Sequence, residues 1–194
     1  GCFLEPAAAI EHALQLVAQG ADLLDIGAES TRPGASPTNA EEQTARVVPV
    51  IEAVAAQTSV PISIDTSDAQ VMRAALAAGA GMINDVRALR AEGALEAAAE
   101  SAAVVCLMHM QGLPETMQQQ ADYADVVAEV GAYLQQRVQY CVAAGIAAER
   151  LLADPGFGFG KNLAHNTALM QQLRRCAQAS GRPLLVGVSR KRMI

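Results

Sequence analysis

Short apolar runs alternate along the chain with longer segments whose apolar positions recur at helical spacing. Residues 5–19 carry Ala, Leu, Ile and Val at intervals of three and four, with Pro6 suited to a first helical turn and Gly20 to the stop. Residues 21–27 read as a short buried strand that runs into a polar loop over 28–37. Thr38 with Glu41 forms a capping box for a helix reaching residue 57, in which Pro49 is expected to introduce a kink. The alternation then repeats: strand 60–65, a helix opened by Ser67 with Gln70 and ending at residue 78, strand 81–86, helix 92–101 and strand 103–109. A loop over 110–117 precedes a long helix over 121–144. Strand 151–154, a glycine-rich turn, helix 163–179 and a last strand over 183–188 complete the pattern.

Six short apolar strands, each followed by a helix or the start of one, predict an α/β fold with a parallel sheet covered on both faces. An open doubly wound sheet gathers its site where strand order reverses, whereas an eight-stranded barrel draws its site from the C-terminal ends of many strands. Here nearly every strand closes on a functional-looking group: Asp25, Asp65, Asn84, Met108 with His109, Asp154 and Ser189. That favours the barrel. Alternation along a strand puts Ser63 on the face of Asp65 and Gly187 on the face of Ser189, with Ile62, Ile64, Val186 and Val188 on the other. Small and polar inward positions leave room near the mouth for a flat ligand. By the same parity Met108 points inward and His109 does not, so His109 is expected to be a supporting or structural group. His12 and His165 lie in helix-like segments and read as surface groups.

A barrel of this kind has about 250 residues and eight strands. The 194 residues are expected to form a single domain holding about six βα units, opening in the helix after a first strand and stopping as the helix after the seventh begins. Hydrophobic residues make up 52% of the chain, enough for a sizeable core. The net charge is −6 and no basic block occurs, which argues against a nucleic-acid partner or an acidic membrane surface. No apolar run reaches the ~18 residues that a membrane span needs. Cys2, Cys106, Cys141 and Cys176 show no C-x-x-C and no ligand-like spacing with histidine, and read as reduced thiols of a cytosolic protein.

Candidate chemistry concentrates in Asp154-Pro155-Gly156-Phe157-Gly158-Phe159-Gly160-Lys161. Alternate glycines let backbone turn sharply and approach a ligand, and the two phenylalanines on such a turn are expected to wall a pocket rather than fill a core. Asp154 closes the strand, where its carboxylate would face a cleft. A phosphate loop is excluded by spacing: three residues rather than four separate Gly156 from Gly160-Lys161, and Asn162 stands where Ser or Thr would be needed. Elsewhere at the strand ends Asp65 and Asp154 offer acceptors, Asn84 an acceptor and a donor, and Lys191 donors. Met108 and Phe159 offer apolar walls. The set suits a flat heterocycle with a guanidine-like edge, and Thr31 with Arg32 suits phosphate or carboxylate.

Six motifs together resemble the dihydropteroate synthases, a family of folate-pathway enzymes: D-I-G-A-E-S-T-R-P-G over 25–34, I-S-I-D-T-S over 62–67, I-N-D-V over 83–86, L-M-H-M-Q-G over 107–112, D-P-G-F-G-F-G-K over 154–161 and V-S-R-K over 188–191. The resemblance spans nearly the whole chain in the family's order. It implies a (β/α)8 TIM barrel, here without strands one and eight, that condenses 6-hydroxymethyl-7,8-dihydropterin diphosphate with 4-aminobenzoate and releases pyrophosphate. It implies a pterin pocket of Asp65, Asn84, Asp154 and Lys191 lined by Met108 and Gly187, with Asp65, Asp154 and Lys191 carrying the chemistry. Thr31, Arg32, Pro33, Phe159 and Ser189 are implied for the aminobenzoate and diphosphate side.

The family also implies Mg²⁺, held with an Asn that would lie upstream of Gly1, so that no metal ligand is expected in the chain itself. An Arg and a His on the eighth strand would contact the diphosphate. Poor activity of these residues alone, a homodimeric parent, a cytoplasmic location and sulfonamides competing at the aminobenzoate site complete the expectations. Two other readings stay open: another pterin-binding barrel, such as the methyltetrahydrofolate-binding domain of a methyltransferase, and a pterin-binding module without catalysis.

Overall fold

The structure, a computed structural model, describes residues 5–29, 38–112 and 122–189. Thr31, Arg32, Pro33, Lys191 and Cys2 lie outside the described residues. Five strands form one sheet in chain order: β1 (Leu24–Ile26), β2 (Ile62–Asp65), β3 (Met82–Asp85), β4 (Val104–Met108) and β5 (Leu151–Asp154). Pairing is parallel, with Asp25 opposite Ser63 and Asp65 opposite Asn84. An order with no reversal is that of a barrel wall and excludes the doubly wound alternative. The segment expected as a sixth strand joins β5 through a single bridge between Ala153 and Leu184, supported by Leu185 N–H to Ala153 O at 2.9 Å.

Contacts divide the chain into two compact units. The first takes the described residues up to Asp85 together with Leu89–Val105, and the second takes Val86–Ala88 and the described residues from Cys106 on. In the first, α1 (Pro6–Ala18), α2 (Ala40–Ala55), α3 (Ala69–Ala77) and α4 (Ala94–Ala99) carry the helical pattern. Pro6 opens α1, and Gly20 follows it at φ +96°. Its core is aliphatic: Val47, Val50, Ile51 and Val54 from α2, Ile62 and Ile64 from β2, Val71 and Met72 from α3, and Ile83 from β3 are all buried.

Both expected capping boxes sit one residue too early. Asn39 caps α2 by accepting from Glu42 N at 2.8 Å, and Asp68 caps α3 by accepting from Gln70 N at 2.8 Å and Val71 N at 3.2 Å. The Ser67 hydroxyl is used elsewhere, and Thr38 contributes only its backbone carbonyl. The Thr38 carbonyl accepts from the Gln43 side chain at 2.8 Å, and the Ser67 hydroxyl donates to Asp85. Pro49 lies inside α2, which continues through it as one helix.

In the second unit α5 (Val126–Ala143), α6 (Leu163–Gln171) and α7 (Leu173–Ser180) surround a cluster of Val126, Val127, Val130, Leu134, Ala153, Phe157, Leu169 and Cys176. Phe157 is 1% exposed and belongs to that core, so only one of the two turn phenylalanines is available to a pocket. The single helix expected over 163–179 is two, separated at Gln172 with φ −120° and ψ 28°. Among the described residues Cys106, Cys141 and Cys176 are buried and in no disulfide, and no helix is long and apolar enough to cross a membrane.

Helices α5 and α7 meet at small residues: a Cβ on Gly131 would lie 2.6 Å from the Cβ of Ala179. Gly131→Ala gains about 1 kcal/mol of helix propensity but forces α7 outward at a cost of about 1–3 kcal/mol. The expected result is a Tm lower by about 2–4 °C in thermal unfolding.

Candidate active site

The first unit places its polar groups on one face of β1–β3. Ser63 and Asp65 share a face by alternation, Asp25 lies opposite Ser63, and Asn84 lies opposite Asp65. A hydrogen bond from Asn84 Nδ2 to Asp25 Oδ2, 3.0 Å, shows that the groups meet on that face. The close fit extends to the D-I-G motif, since a Cβ on Gly27 would stand 3.1 Å from both the Cβ and the carbonyl oxygen of Asp65. Asp25 is open to solvent on one side, yet protein crowds it on the others. That desolvation raises its carboxyl pKa, and the side chains of Ser63 and Asn84 pull the other way.

Beneath this face two buried polar groups find partners within the protein. Thr66 Oγ1 donates to Gln43 Oε1 at 3.1 Å, and both residues are buried. Asp85, fully buried, accepts from the Ser67 hydroxyl and from Leu89 N at 2.7 Å. Leu89 sits at φ +56°, a conformation that costs an L-residue about 1–2 kcal/mol. The carboxylate bond from Asp85 holds it there.

The second unit is built around the turn after β5. Asp154, 7% exposed, accepts from Gly156 N at 2.8 Å through one carboxylate oxygen. Gly156, Gly158 and Gly160 all have positive φ, between +61° and +77°. At Gly156 no side chain is possible, because a Cβ would lie 1.9 Å from the His109 carbonyl oxygen.

The turn folds back on Lys161, whose side chain is 2% exposed. Its Nζ meets Gly156 O at 3.0 Å, Phe159 O at 3.0 Å and His109 Nδ1 at 2.9 Å, with His109 O further off at 3.4 Å. Three donors of an ammonium thus face three close acceptors. The imidazole is held from the other side by the edge of Tyr133, ring centroids 4.9 Å apart.

Asn166 closes the far side of the turn, accepting from Gly158 N at 2.9 Å and donating to Lys161 O and Asn162 O. Tyr123 donates to Gly160 O at 3.1 Å; burial, with Glu129 nearby, pushes its phenol up to about 12. Burial also pushes the Cys176 thiol up to about 11, with Lys161 lowering and Asp154 raising it, so this thiol stays protonated.

The sequence-predicted residues therefore fall into three groups. Asp65 and Asn84 are neighbours across β2 and β3. Met108 and Phe159 join Val86 and Met110 in one buried apolar cluster, and Asp154 opens the turn that carries Phe159. Gly187 and Ser189 are exposed, and a Cβ on Gly187 would touch nothing within 4 Å. Thr31, Arg32, Pro33 and Lys191 lie outside the described residues. His109 is the structural group that strand parity expects. His165 is more than a surface residue, since it pairs with Asn162 in a capping box at the start of α6. Sequence reasoning missed Lys161, which it weighed only against a phosphate loop. The signal was a lysine placed directly after a run of alternate glycines.

The sequence pattern of the pterin binding enzyme family matches residues 1–194, the whole chain. The dihydropteroate synthase of Escherichia coli (strain K12) is 52% identical over 186 residues, 96% of this chain and 66% of that protein. The chain belongs to the dihydropteroate synthase family. A crystal structure of the Yersinia pestis family member in complex with a sulfonamide drug superposes with a TM-score of 0.97 at 49% identity, covering 100% of this chain and 70% of that one. The Xanthomonas albilineans member, solved with 4-aminobenzoic acid, gives a TM-score of 0.91 at 53% identity over 97% of this chain and 66% of that one. The chain spans about two-thirds of the length of the curated family members it matches.

The raised pKa of Asp25 has a consequence for stability. The folded chain holds the proton at pH values where the unfolded chain has lost it, so ionisation of Asp25 costs stability as pH rises through that window. Asp25→Asn keeps an acceptor for Asn84 and removes that cost. Its Tm is expected to exceed the parent's at pH 7, with the difference shrinking as pH falls through the ordinary carboxylate range.

Proposed function

We propose that the chain is the main part of an enzyme joining 6-hydroxymethyl-7,8-dihydropterin diphosphate to 4-aminobenzoate. The observation that carries the proposal is the match along 97% of the chain to a family member solved with 4-aminobenzoic acid, with six family motifs in order at the strand ends. The methyltransferase alternative has no comparable support, because the glycine turn with Phe159 and the S-T-R-P-G loop both belong to the synthase pattern.

On this reading the 194 residues serve as one pterin-binding domain, and Asp65, Asn84, Asp154 and Lys191 hold the pterin by its donor-rich edge. The C–O bond to the diphosphate breaks, the aminobenzoate nitrogen forms the new C–N bond, and the amine loses a proton. The amine is a weak nucleophile, so bond breaking leads and positive charge develops on the pterin. Carboxylates of Asp65 and Asp154 held in low-dielectric surroundings stabilise that charge more in the transition state than in the ground state. Asp154 has one oxygen tied to Gly156 N, which fixes its direction without neutralising it. Phe159, packed with Met108 and Met110, provides an apolar wall, and a side chain at Gly187 would meet open space. Thr31, Arg32, Pro33 and Ser189 are assigned to the aminobenzoate and the departing diphosphate.

Mg²⁺ enters this reading by resemblance. An Asn upstream of Gly1 would help hold it, and among the described residues no group of three His, Cys, Asp or Glu could hold a metal ion. The partners on this reading are the two small-molecule substrates, in a homodimeric, cytoplasmic protein.

Pyrophosphate release with both substrates tests the proposal, comparing these residues with a chain extended to the family's full length. Turnover in the extended chain supports a synthase, and pterin binding without turnover would reassign it as a binding module. Asp154→Asn keeps the acceptor for Gly156 N but loses the charge. It is expected to lower kcat by about 10²–10³-fold. A sulfonamide is expected to raise the apparent KM for 4-aminobenzoate and leave kcat unchanged.

A further inference from the structure

The reaction as described makes no use of Lys161, the buried cation of the second unit. Its surroundings are specific. Three acceptors at 2.9–3.0 Å match its three N–H donors, and they come from two separate chain segments: Gly156 and Phe159 on the turn after β5, and His109 immediately after β4. A buried ammonium is costly unless paired or fully hydrogen-bonded. A Leu or Met would suffice if the position only needed filling.

The two tied segments carry the two apolar walls of the proposed site. Met108 precedes His109 directly, and Phe159 supplies its own carbonyl to Nζ. Met108, Met110 and Phe159 pack in one cluster. The same turn gives Asp154 its partner, Gly156 N, while the Gly156 carbonyl goes to Lys161. A lateral shift of the turn is blocked on one side by the His109 carbonyl against Gly156 and on another by Gln111, since a Cβ on Gly160 would lie 2.7 Å from Gln111 O.

We infer that Lys161 is a positioning residue for the condensation: its ammonium clamps the exit of β4 to the glycine turn and so sets Met108, on the pterin side, against Phe159, on the aminobenzoate side. The inference rests on the synthase reading. Lys161 does not touch the reacting atoms. It acts through the backbone carbonyls of Gly156 and Phe159 and through the ring of His109. The charged donor requires Nδ1 of His109 to be unprotonated and its remaining proton to sit on Nε2. That tautomer is an observable independent of turnover.

The test uses Lys161→Met, similar in length and without donors, in a chain of the family's full length. Gly131→Ala serves as a control that loosens the α5–α7 contact without touching the turn. Nitrogen-15 NMR of the imidazoles is expected to show a single Nε2–H tautomer for His109 in the parent and a mixture in Lys161→Met. Kinetics are expected to show kcat lower by about 10²-fold, the scale of a misplacement of about 1 Å between reactants, with KM for the pterin substrate changed far less. Gly131→Ala is expected to keep the parental kcat. An unchanged His109 tautomer in Lys161→Met, or a kcat loss no greater than that of Gly131→Ala, overturns the inference. If the parent itself shows no turnover, the synthase reading falls, and the clamp is then judged by the His109 signal alone.

Discussion

The second unit depends on a buried ammonium surrounded by backbone oxygen. Alternate glycines at positive φ turn successive carbonyls of the strand-end loop toward the same point, and Lys161 Nζ occupies it. That donor draws the carbonyls of Gly156 and Phe159 to one point, and Gly156 O accepts from Phe159 N at 3.1 Å as well. The glycines are needed for two reasons. Positive φ is cheap only for glycine, and the neighbouring carbonyl of His109 leaves no volume for a side chain at Gly156. The turn is therefore part of the packed core of its unit. Phe157 faces inward to the α5–α7 cluster, Phe159 joins the methionines after β4, and Asp154 is aimed by an amide of its own loop.

The first unit solves a different problem, which is how to keep several polar groups close together on a sheet. Parallel register puts Asp25, Ser63, Asp65 and Asn84 on one face, where an amide bridges to a carboxylate. The opposite face carries Ile62, Ile64 and Ile83, which pack fully buried beside α2 and α3 residues of the same core. The cost of crowding is visible at Asp25, whose carboxyl is held above its ordinary range by desolvation.

Much of this was legible from residue order. Alternation of period two in the strands and helical spacing between them follows from backbone geometry alone, and five of the six expected strands, with the polar groups at their C-terminal ends, were read from it. Errors arose where a side chain had competing partners. Thr38 and Ser67 look like caps in isolation, but Asn39 and Asp68 are one residue closer to the helix, and the Ser67 hydroxyl is taken by Asp85. Phe157 and Phe159 are equivalent in sequence, two residues apart on the same loop. Only the course of the turn sends one into the helical core and the other to the methionines after β4.

What the sequence determined by itself was therefore the class of the fold, the strand ends and the family, because those depend on local periodicity and on residue types in order. The tertiary structure decided the role of Lys161, the break between α6 and α7 at Gln172, and the single bridge that replaces a sixth strand. No glycine or proline marks the break at Gln172. The lysine's partners are 2, 5 and 52 residues away. Contacts over such separations leave no local periodicity to read; they exist only once the strands have been brought side by side.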